Sequence, residues 1–479
     1  MPPFSMAQTV MCLIYPQLAS LVSTQIEKFF DKIVKYEIKV PKLEPRLQNR
    51  YRILVQQHLS PAQSVASGLR NLPNTAKSFT AAQAAWRFYQ NKRVTLPLLA
   101  EPIINQAREL SLTCSNKYCL VMHDFSVLNF SSHESKADRL SLYRLNDFGY
   151  FLQSALLVSD ISGNPLAPLY LGLEAASGVH SSRRETVLPR RRQLDELNRT
   201  FGYVESLGLK RPCVHIVDRQ ADSLVHLRRF ERCQRSFVIR SDDVRRVTFE
   251  GESLLLAEVE ERIQEKLEFV REIELNGKKA WQYVAETEVV LERLGRLRYR
   301  SQENEKKRKW IKGKVLKLRL ILSEVRDSQD KVLSIWRLWT NVKEVKGEEI
   351  ALWYYWRWRI ESYFKLLKRG GQFLEQWQQE SAEAIAKRLL IVAQVCVIVW
   401  TLAESKEEKA KEIRQFLISL SGRLMKRRVE YTTPALLAGM WQLLAIIDAL
   451  ERFTAAELLE IAKGVLDILG DKPNFKEVK

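Results

Sequence analysis

The sequence is poor in cysteine, glycine and proline, which number 6, 18 and 15 among 479 residues. That is too little cysteine for a disulfide-stapled scaffold, and too little glycine and proline for a collagen-like or low-complexity chain. The cysteines stand apart at 12, 114, 119, 213, 233 and 396, and only Cys114 and Cys119 are close. Their C-x4-C spacing has no second pair and no paired histidines to complete a zinc site. They read as small buried residues in a reducing compartment. Long apolar runs are also missing. The longest, Leu389 to Leu402, contains Gln394 and Thr401 and stops at 14 residues. A bilayer span needs roughly 18 to 20, so this run reads as a buried helix and no membrane partner is expected. Met11 to Tyr15 is apolar but lacks a preceding positive charge and a small-residue cleavage site, so no signal peptide is expected.

Acidic residues are in deficit: 57 Asp and Glu face 76 Lys and Arg, a formal net charge of +19. Length suggests two to four domains, each able to bury a core. The charge is concentrated. Arg183 to Arg246 holds 16 bases and 9 acids, and Lys306 to Arg319 holds 8 bases and no acid. Asp448 to Lys479 is slightly acidic, with 7 acids to 5 bases. Such focusing favours a polyanionic partner, of which nucleic acid is the common one; the alternative is a solvated basic surface.

Residues 1–112 read as a helical N-terminal domain, with Thr80 as a cap for the helical run Ala81 to Gln90, and Asn74 and Pro97 at the boundaries. From Tyr118 the texture changes. Cys119 to Met122 suits a buried strand ending in His123-Asp124, and Tyr150 to Val158 and Pro168 to Leu173 flank a hairpin-like turn, Asp160 to Pro165. An arginine-rich helix follows around Arg190 to Leu207, then a strand Cys213 to Val217 ending in Asp218, a helix Ala221 to Phe230 and a strand Phe237 to Arg240. This order predicts an α/β layer with a hairpin edge over 113–246, resumed over 344–402. Residues 247–343 read as a β-rich insertion, with Asn276-Gly277 as a hairpin signal, and 403–479 as a helical C-terminal domain.

The most informative segment is Tyr354 to Lys368. At about 100° per residue, Tyr354, Arg357, Glu361 and Lys368 share an arc of about 60°, with Lys365 at its edge and Leu352, Trp356, Tyr363 and Leu367 on the apolar opposite face. One reading is an exposed ladder of charge pairs; the other is a functional face bearing a carboxylate, a phenol and several cations. Asp124 and Asp218 each follow a buried strand, at the edge where ligands gather in α/β sheets. Singly, each suits a turn former or cap. Together with Glu361 they offer hard oxygen ligands for divalent cations in phosphodiester chemistry.

At these residues the chain resembles the bacterial cut-and-paste transposases of the DDE class, in the insertion-sequence group marked by Tyr-x2-Arg-x3-Glu-x6-Lys. Tyr354, Arg357, Glu361 and Lys368 fit that spacing, and Asp218-Arg-Gln-Ala-Asp222 is similar to the second-aspartate signature. The family usually has Glu where this chain has Gln220, and prefers threonine after the first aspartate where this chain has Phe125-Ser126. Ala81 to Gln83 with Trp86-Arg87-Phe88 is similar to the N-terminal DNA-binding region, and Thr433 to Glu460 to the C-terminal dimerisation helices.

The resemblance implies a ribonuclease-H-like catalytic core interrupted by the β-rich insertion and flanked by helical terminal domains. It also implies that Asp124, Asp218 and Glu361 hold two Mg²⁺ ions, for which Mn²⁺ substitutes. Tyr354, Arg357 and Lys368, with Lys365 beside them, would contact transposon-end phosphates, and Arg240 matches a basic residue of the catalytic region. Trp336 matches an aromatic that receives a flipped base, with sheet packing as its alternative, and Arg87 would contact DNA. The run Lys306, Lys307, Arg308 and Lys309 reads as a solvated loop or as an arm along the DNA backbone, the arm being favoured by the interleaved Trp310. The implied partners are transposon-end DNA, target DNA and a second copy of the chain, in a bacterial cytoplasm at the nucleoid. His123 and His215 read as packing or hydrogen-bonding residues in preference to metal ligands, and no Ser-His-Asp constellation accompanies Ser126 or Cys119. A catalytically decayed DNA-binding relative and a structure-specific nuclease of the same fold are the competing readings.

Overall fold

A computed structural model describes residues 39–59, 75–292, 295–300, 306–311, 313–368, 372–425, 429–450 and 453–469. The chain divides into two compact units, one of residues 1–90, 370–373 and 394–479, the other of residues 91–369 and 374–393.

The first unit is helical among its described residues, with Pro45–Leu59, Thr75–Gln90, Glu408–Leu420, Thr433–Leu450 and Ala455–Leu469. The second of these begins at Thr75, so Thr80 is an interior helical residue and not the expected cap. Gly439 lets Thr433–Leu450 approach Glu408–Leu420 closely, because a Cβ there would stand within 2 Å of the Leu417 carbonyl oxygen (1.8 Å). Arg414, buried between turns, donates to the Leu402 and Ser405 carbonyls at 3.2 and 2.7 Å. The Ala382–Glu404 helix, which contains the longest apolar run, belongs to the second unit up to Ala393 and to the first from Gln394. Its apolar span is wholly buried within the protein, as expected of a core helix.

The second unit is built on one fourteen-stranded sheet. At its centre Cys119–Asn129 pairs antiparallel with Phe148–Ser159, which pairs antiparallel with Pro165–Ala175. On the other side Cys119–Asn129 pairs parallel with Cys213–Val217, and that strand parallel with Ser236–Arg240. Most of the β-rich insertion extends this same sheet. Its last strand, Val332–Thr340, joins Ser236–Arg240 antiparallel, and Leu316–Arg326 and Lys278–Leu291 continue the same sheet outward. Asn276 and Gly277 both adopt positive φ, 52° and 77°, in the tight turn that joins Glu268–Leu275 to Lys278–Leu291. A second, two-stranded sheet pairs Gly295–Arg300 with Lys306–Ile311.

Helices Gln193–Ser206, Leu224–Arg232 and Leu256–Ile263 cover one face of the sheet, where Leu197, Phe201, Leu227, Phe230, Val259 and Trp339 share a core cluster. The Leu96–Thr113 helix, expected in the N-terminal domain, lies in this unit and packs on Pro165–Ala175. Its Pro97 sits in the first turn, where a missing N–H costs nothing. The helix expected from Ala221 starts later, at Leu224, after a short 3₁₀ turn over Arg219–Ala221. Among the described cysteines all are free, and Cys233 is exposed where a buried residue was expected; its position just past the Leu224–Arg232 helix brings it to the surface.

The hairpin loop between Ser159 and Pro165 anchors the segment that carries Glu361. Gly163 has φ +68°, and a Cβ added to it would stand 2.2 Å from Trp356 Cε2, so the Trp356 indole packs directly on bare backbone. Arg359 Nε donates to the Gly163 carbonyl at 2.9 Å. Gly163→Ala combines a strained φ with this clash and should destabilise the second unit by about 2 to 4 kcal/mol. A fall in Tm of the full chain, with Gly251→Ala as a comparison (positive φ but open space), measures the part due to the indole contact.

Candidate active site

The parallel register sets the two aspartates. Met122 stands opposite Ile216, the last pair between Cys119–Asn129 and Cys213–Val217 that involves Met122. Asp124 and Asp218 each lie two residues further on, so they reach the same level on neighbouring strands and point to the same face. Asp124 is not at a strand end as expected. Its strand continues to Asn129 because the antiparallel partner Phe148–Ser159 runs on beside it, with Asp124 opposite Ser154. What ends at Met122 is the parallel pairing. Asp218 does leave its strand: its Oδ1 accepts the Gln220 N–H at 2.9 Å and caps the 3₁₀ turn, so the capping role and an open second oxygen coexist.

The segment after the insertion is not one continuous helix. Gly347–Tyr355 and Trp358–Lys368 are separated by a turn at Trp356-Arg357, in which the Arg357 N–H donates to Tyr354 O and the Arg359 N–H to Trp356 O. These shortened bonds re-aim the chain where Trp356 is held on Gly163, and the 60° arc of an unbroken helix does not apply. Glu361 is in the first turn of the second helix. Arg357, in the turn, reaches both sides: its Nη1 lies 3.2 Å from Asp124 Oδ2 and its Nη2 2.5 Å from Glu361 Oε1. The Arg357 side chain is 11 % exposed, so this is a largely desolvated pairing.

Burial pushes the Asp124 carboxyl up from 3.8 to about 6; Arg357 and the Phe125 N–H oppose the shift, while Asp218 and Glu361 add to it. The three carboxylates therefore feel one another. For Arg357, burial works against its charge, but Tyr354, Asp124 and Glu361 outweigh it and raise its pKa. Tyr354, at the end of the preceding helix, is 4 % exposed. Burial raises its phenol pKa, with Arg357 and Arg240 acting in the opposite direction and Arg240 hydrogen-bonded to it. Arg240 thus joins the site from the end of its strand. Among the described residues no group of three or more acidic, imidazole or thiol side chains stands in metal-holding geometry. Arg357 instead engages Asp124 Oδ2 and Glu361 Oε1.

The remaining expected contacts divide. Lys368 Nζ donates to the Val127 carbonyl and lies 3.7 Å from Glu375. Lys365 is exposed on the outer face of its helix. Trp336 is 4 % exposed, edge-on to Tyr354 at 5.6 Å and stacked near Tyr355 at 6.5 Å, the sheet-packing alternative for this residue. In the first unit, Trp86 and Arg87 are exposed neighbours on the Thr75–Gln90 helix. Lys306, Lys307, Arg308 and Lys309 lie on a strand, not in a loop, with Arg298 opposite Arg308 and Arg300 opposite Lys306.

Asp222 and Gly163 escaped sequence reasoning, whereas the two histidines, read as packing or hydrogen-bonding residues, bond to each other. Asp222, quoted only as part of a motif, is a buried anchor: it accepts from Ser241 Oγ, the Asp242 N–H and Trp339 Nε1, and pairs with Arg245 at 2.9 Å. His123 Nε2 and His215 Nδ1 stand 2.9 Å apart on the opposite sheet face from Asp124, with Phe201 stacked on His215 at 3.8 Å and Glu205 at 3.4 Å beyond it. Burial holds both imidazoles below their ordinary pKa, so they form a neutral pair. Only the histidines had a visible signal, two polar residues on apolar strands.

No family model and no curated protein matches the chain. Among solved structures it is similar to the cryo-EM structure of a piggyBac transposase synaptic complex with hairpin DNA, at a TM-score of 0.31 and 6 % identity, over 90 % of this chain and 78 % of that one.

The raised Asp124 pKa has a stability consequence with a definite sign. A carboxyl that ionises less readily folded than unfolded favours the fold below about pH 4, and that contribution is lost as pH rises through about 6. Asp124→Asn removes the loss. Without added metal, its Tm should gain on the parent's as pH goes from 4 to 7, by the equivalent of up to about 3 kcal/mol. A constant offset between the two Tm curves would show that Asp124 ionises normally.

Proposed function

We propose that the protein is a DNA transposase of the DDE class, cutting transposon-end inverted repeats by metal-dependent phosphoryl transfer and joining the 3′-hydroxyl ends to target DNA. The observation that carries this reading is the convergence of Asp124, Asp218 and Glu361, with Arg357, Arg240 and Tyr354, at the edge where the parallel strands part. Two antiparallel pairings followed by two parallel strands and a carboxylate-bearing helix is also the order a ribonuclease-H-like core requires.

The donor set is all carboxylate oxygen, the chemistry that suits Mg²⁺ or Mn²⁺, and the mutual repulsion of the three groups is what a divalent cation relieves. Two such ions, when bound, would lower the pKa of the attacking oxygen and stabilise the leaving one. Arg357, Arg240 and Tyr354 would hold the phosphates in line, with Lys365 and Lys368 further along the helix. Water would open the bond to the 3′-oxygen of the element end, and that hydroxyl would attack the opposite strand to leave a hairpin. A second water would open the hairpin before the 3′-hydroxyl attacks target DNA. Each exchange forms one P–O bond as another breaks, and no protein nucleophile is needed. End pairing would use a second copy through the C-terminal helices.

The basic ribbon would follow the duplex. A two-stranded β-ribbon fits a major groove, and its register sets Arg298 opposite Arg308 and Arg300 opposite Lys306.

Two experiments test this reading. With inverted-repeat DNA from the flanks of the gene and Mg²⁺, the parent should give nicked and then hairpinned ends on denaturing gels. Asp218→Asn and Glu361→Gln should each lower cleavage by at least about 10³-fold, since each would remove a ligand of the reacting centre; full cleavage by either variant would overturn the assignment. Cleavage without hairpin or strand transfer would favour the nuclease. In the second experiment, Arg298→Gln with Arg308→Gln should reduce the salt slope of duplex binding by about 2, one phosphate per cation. An unchanged slope would remove the ribbon from the DNA path.

A further inference from the structure

The resemblance assigns Arg357 a phosphate, yet in the structure it holds the acids. Its two terminal nitrogens are divided between Asp124 and Glu361, residues on a strand and a helix far apart in the chain. The turn that carries it is fixed from behind by Trp356 on Gly163 and by Arg359 on the Gly163 carbonyl, so the guanidinium is placed by built structure and is not a surface arginine settling on the nearest acid. It is also largely out of solvent.

We infer that Arg357 is the resident counter-cation of the carboxylate site, neutralising Asp124 and Glu361 until a DNA phosphate draws it away and frees their oxygens for divalent metal. This rests on the metal-site reading above and adds a coupling to it. A phosphate taken in bidentate fashion by Nη1 and Nη2 competes with Asp124 and Glu361 for the donors that now face them. Phosphate arrival therefore lowers the cost of metal entry, and by linkage metal favours DNA by the same factor. Arg357 would then be a positioning residue with two successive partners. The arrangement keeps metal from loading strongly on a protein that has no DNA.

The test is Mn²⁺ binding to the full chain, followed by electron paramagnetic resonance, with and without a short duplex carrying the element's inverted repeat. The parent should bind Mn²⁺ weakly alone and at least about tenfold more tightly with duplex, a change of about 1.4 kcal/mol. Arg357→Gln should bind Mn²⁺ at least about tenfold more tightly than the parent in the absence of DNA, and the duplex should add little. Arg357→Lys, which keeps the charge but loses the fork, should fall between the two and serves if the glutamine variant does not fold. Equal Mn²⁺ affinity in the parent and both variants, with Glu361→Gln still weakening it, would overturn the inference and leave the metal site standing. Mn²⁺ binding indifferent to Asp218→Asn and Glu361→Gln would overturn the metal site and the inference together.

Discussion

Like charges brought to one place must be compensated, and at this sheet edge Arg357 supplies the compensation. Asp124 and Asp218 stand level because parallel strands in register offer no alternative, and Glu361 arrives from a helix on the same face. Burial is the main cause that pushes the Asp124 carboxyl up, and Asp218 and Glu361 add to it. Arg357 draws two of these carboxylates together across the interval between strand and helix. The price is a cation held out of water, and the neighbouring phenol of Tyr354 adds to what stabilises it. A pairing of this kind is weak evidence for stability. Its value is placement.

The opposite face of the same strands is treated in the reverse way. His123 and His215, one and three residues before the aspartates in sequence, are buried and neutral and bond to each other under the Phe201 ring. Alternation along a strand separates the two chemistries: even positions at Asp124 and Asp218 face the helix of Glu361, and odd positions at His123 and His215 face the Gln193–Ser206 helix. The imidazole pair crosses between the two strands whose register levels the aspartates. A slip of one residue would break that bond and turn each aspartate into the core, so the polar pair helps specify the register on which the site depends.

Much of this was legible in the chain itself, and the failures have physical causes. Asp218 was readable because a short apolar strand and a following aspartate are local signals. Asp124 was read as a strand end because the residues around it alternate less clearly, and only the antiparallel neighbour Phe148–Ser159 reveals that the strand continues. The Tyr354 to Lys368 segment has helical periodicity throughout, so sequence predicts one helix. The break at Trp356-Arg357 comes from Gly163 in a distant hairpin, a tertiary contact that periodicity does not contain. The basic run was visible as charge, but its pairing with Gly295–Arg300 was not, since no Asn-Gly or Asp-Gly turn joins the two strands. Asp222 was hidden for a simpler reason: a buried anchoring carboxylate and a reactive one look the same in sequence.

The continuity of the sheet changes what the insertion means. Residues between two halves of an α/β layer are naturally pictured as a module on a hinge, yet Val332–Thr340 is hydrogen-bonded to Ser236–Arg240 and extends that layer. Leu338 pairs with Arg240, and Trp339 donates from this strand to Asp222, just past the turn capped by Asp218. Trp336 meets Tyr354 from the same strand. The insertion therefore forms one wall of the site, and the basic ribbon is rooted beside it: the Lys314 carbonyl accepts Arg228 Nε at 2.8 Å, and Gly313 leaves room for the Arg228 side chain. Arg228 lies on the helix that follows Asp218. The net charge of +19 then has a structural meaning. Its densest part lies on the two-stranded ribbon, a sheet separate from that of the acids, which the Arg228–Lys314 bond ties to the helix that follows Asp218.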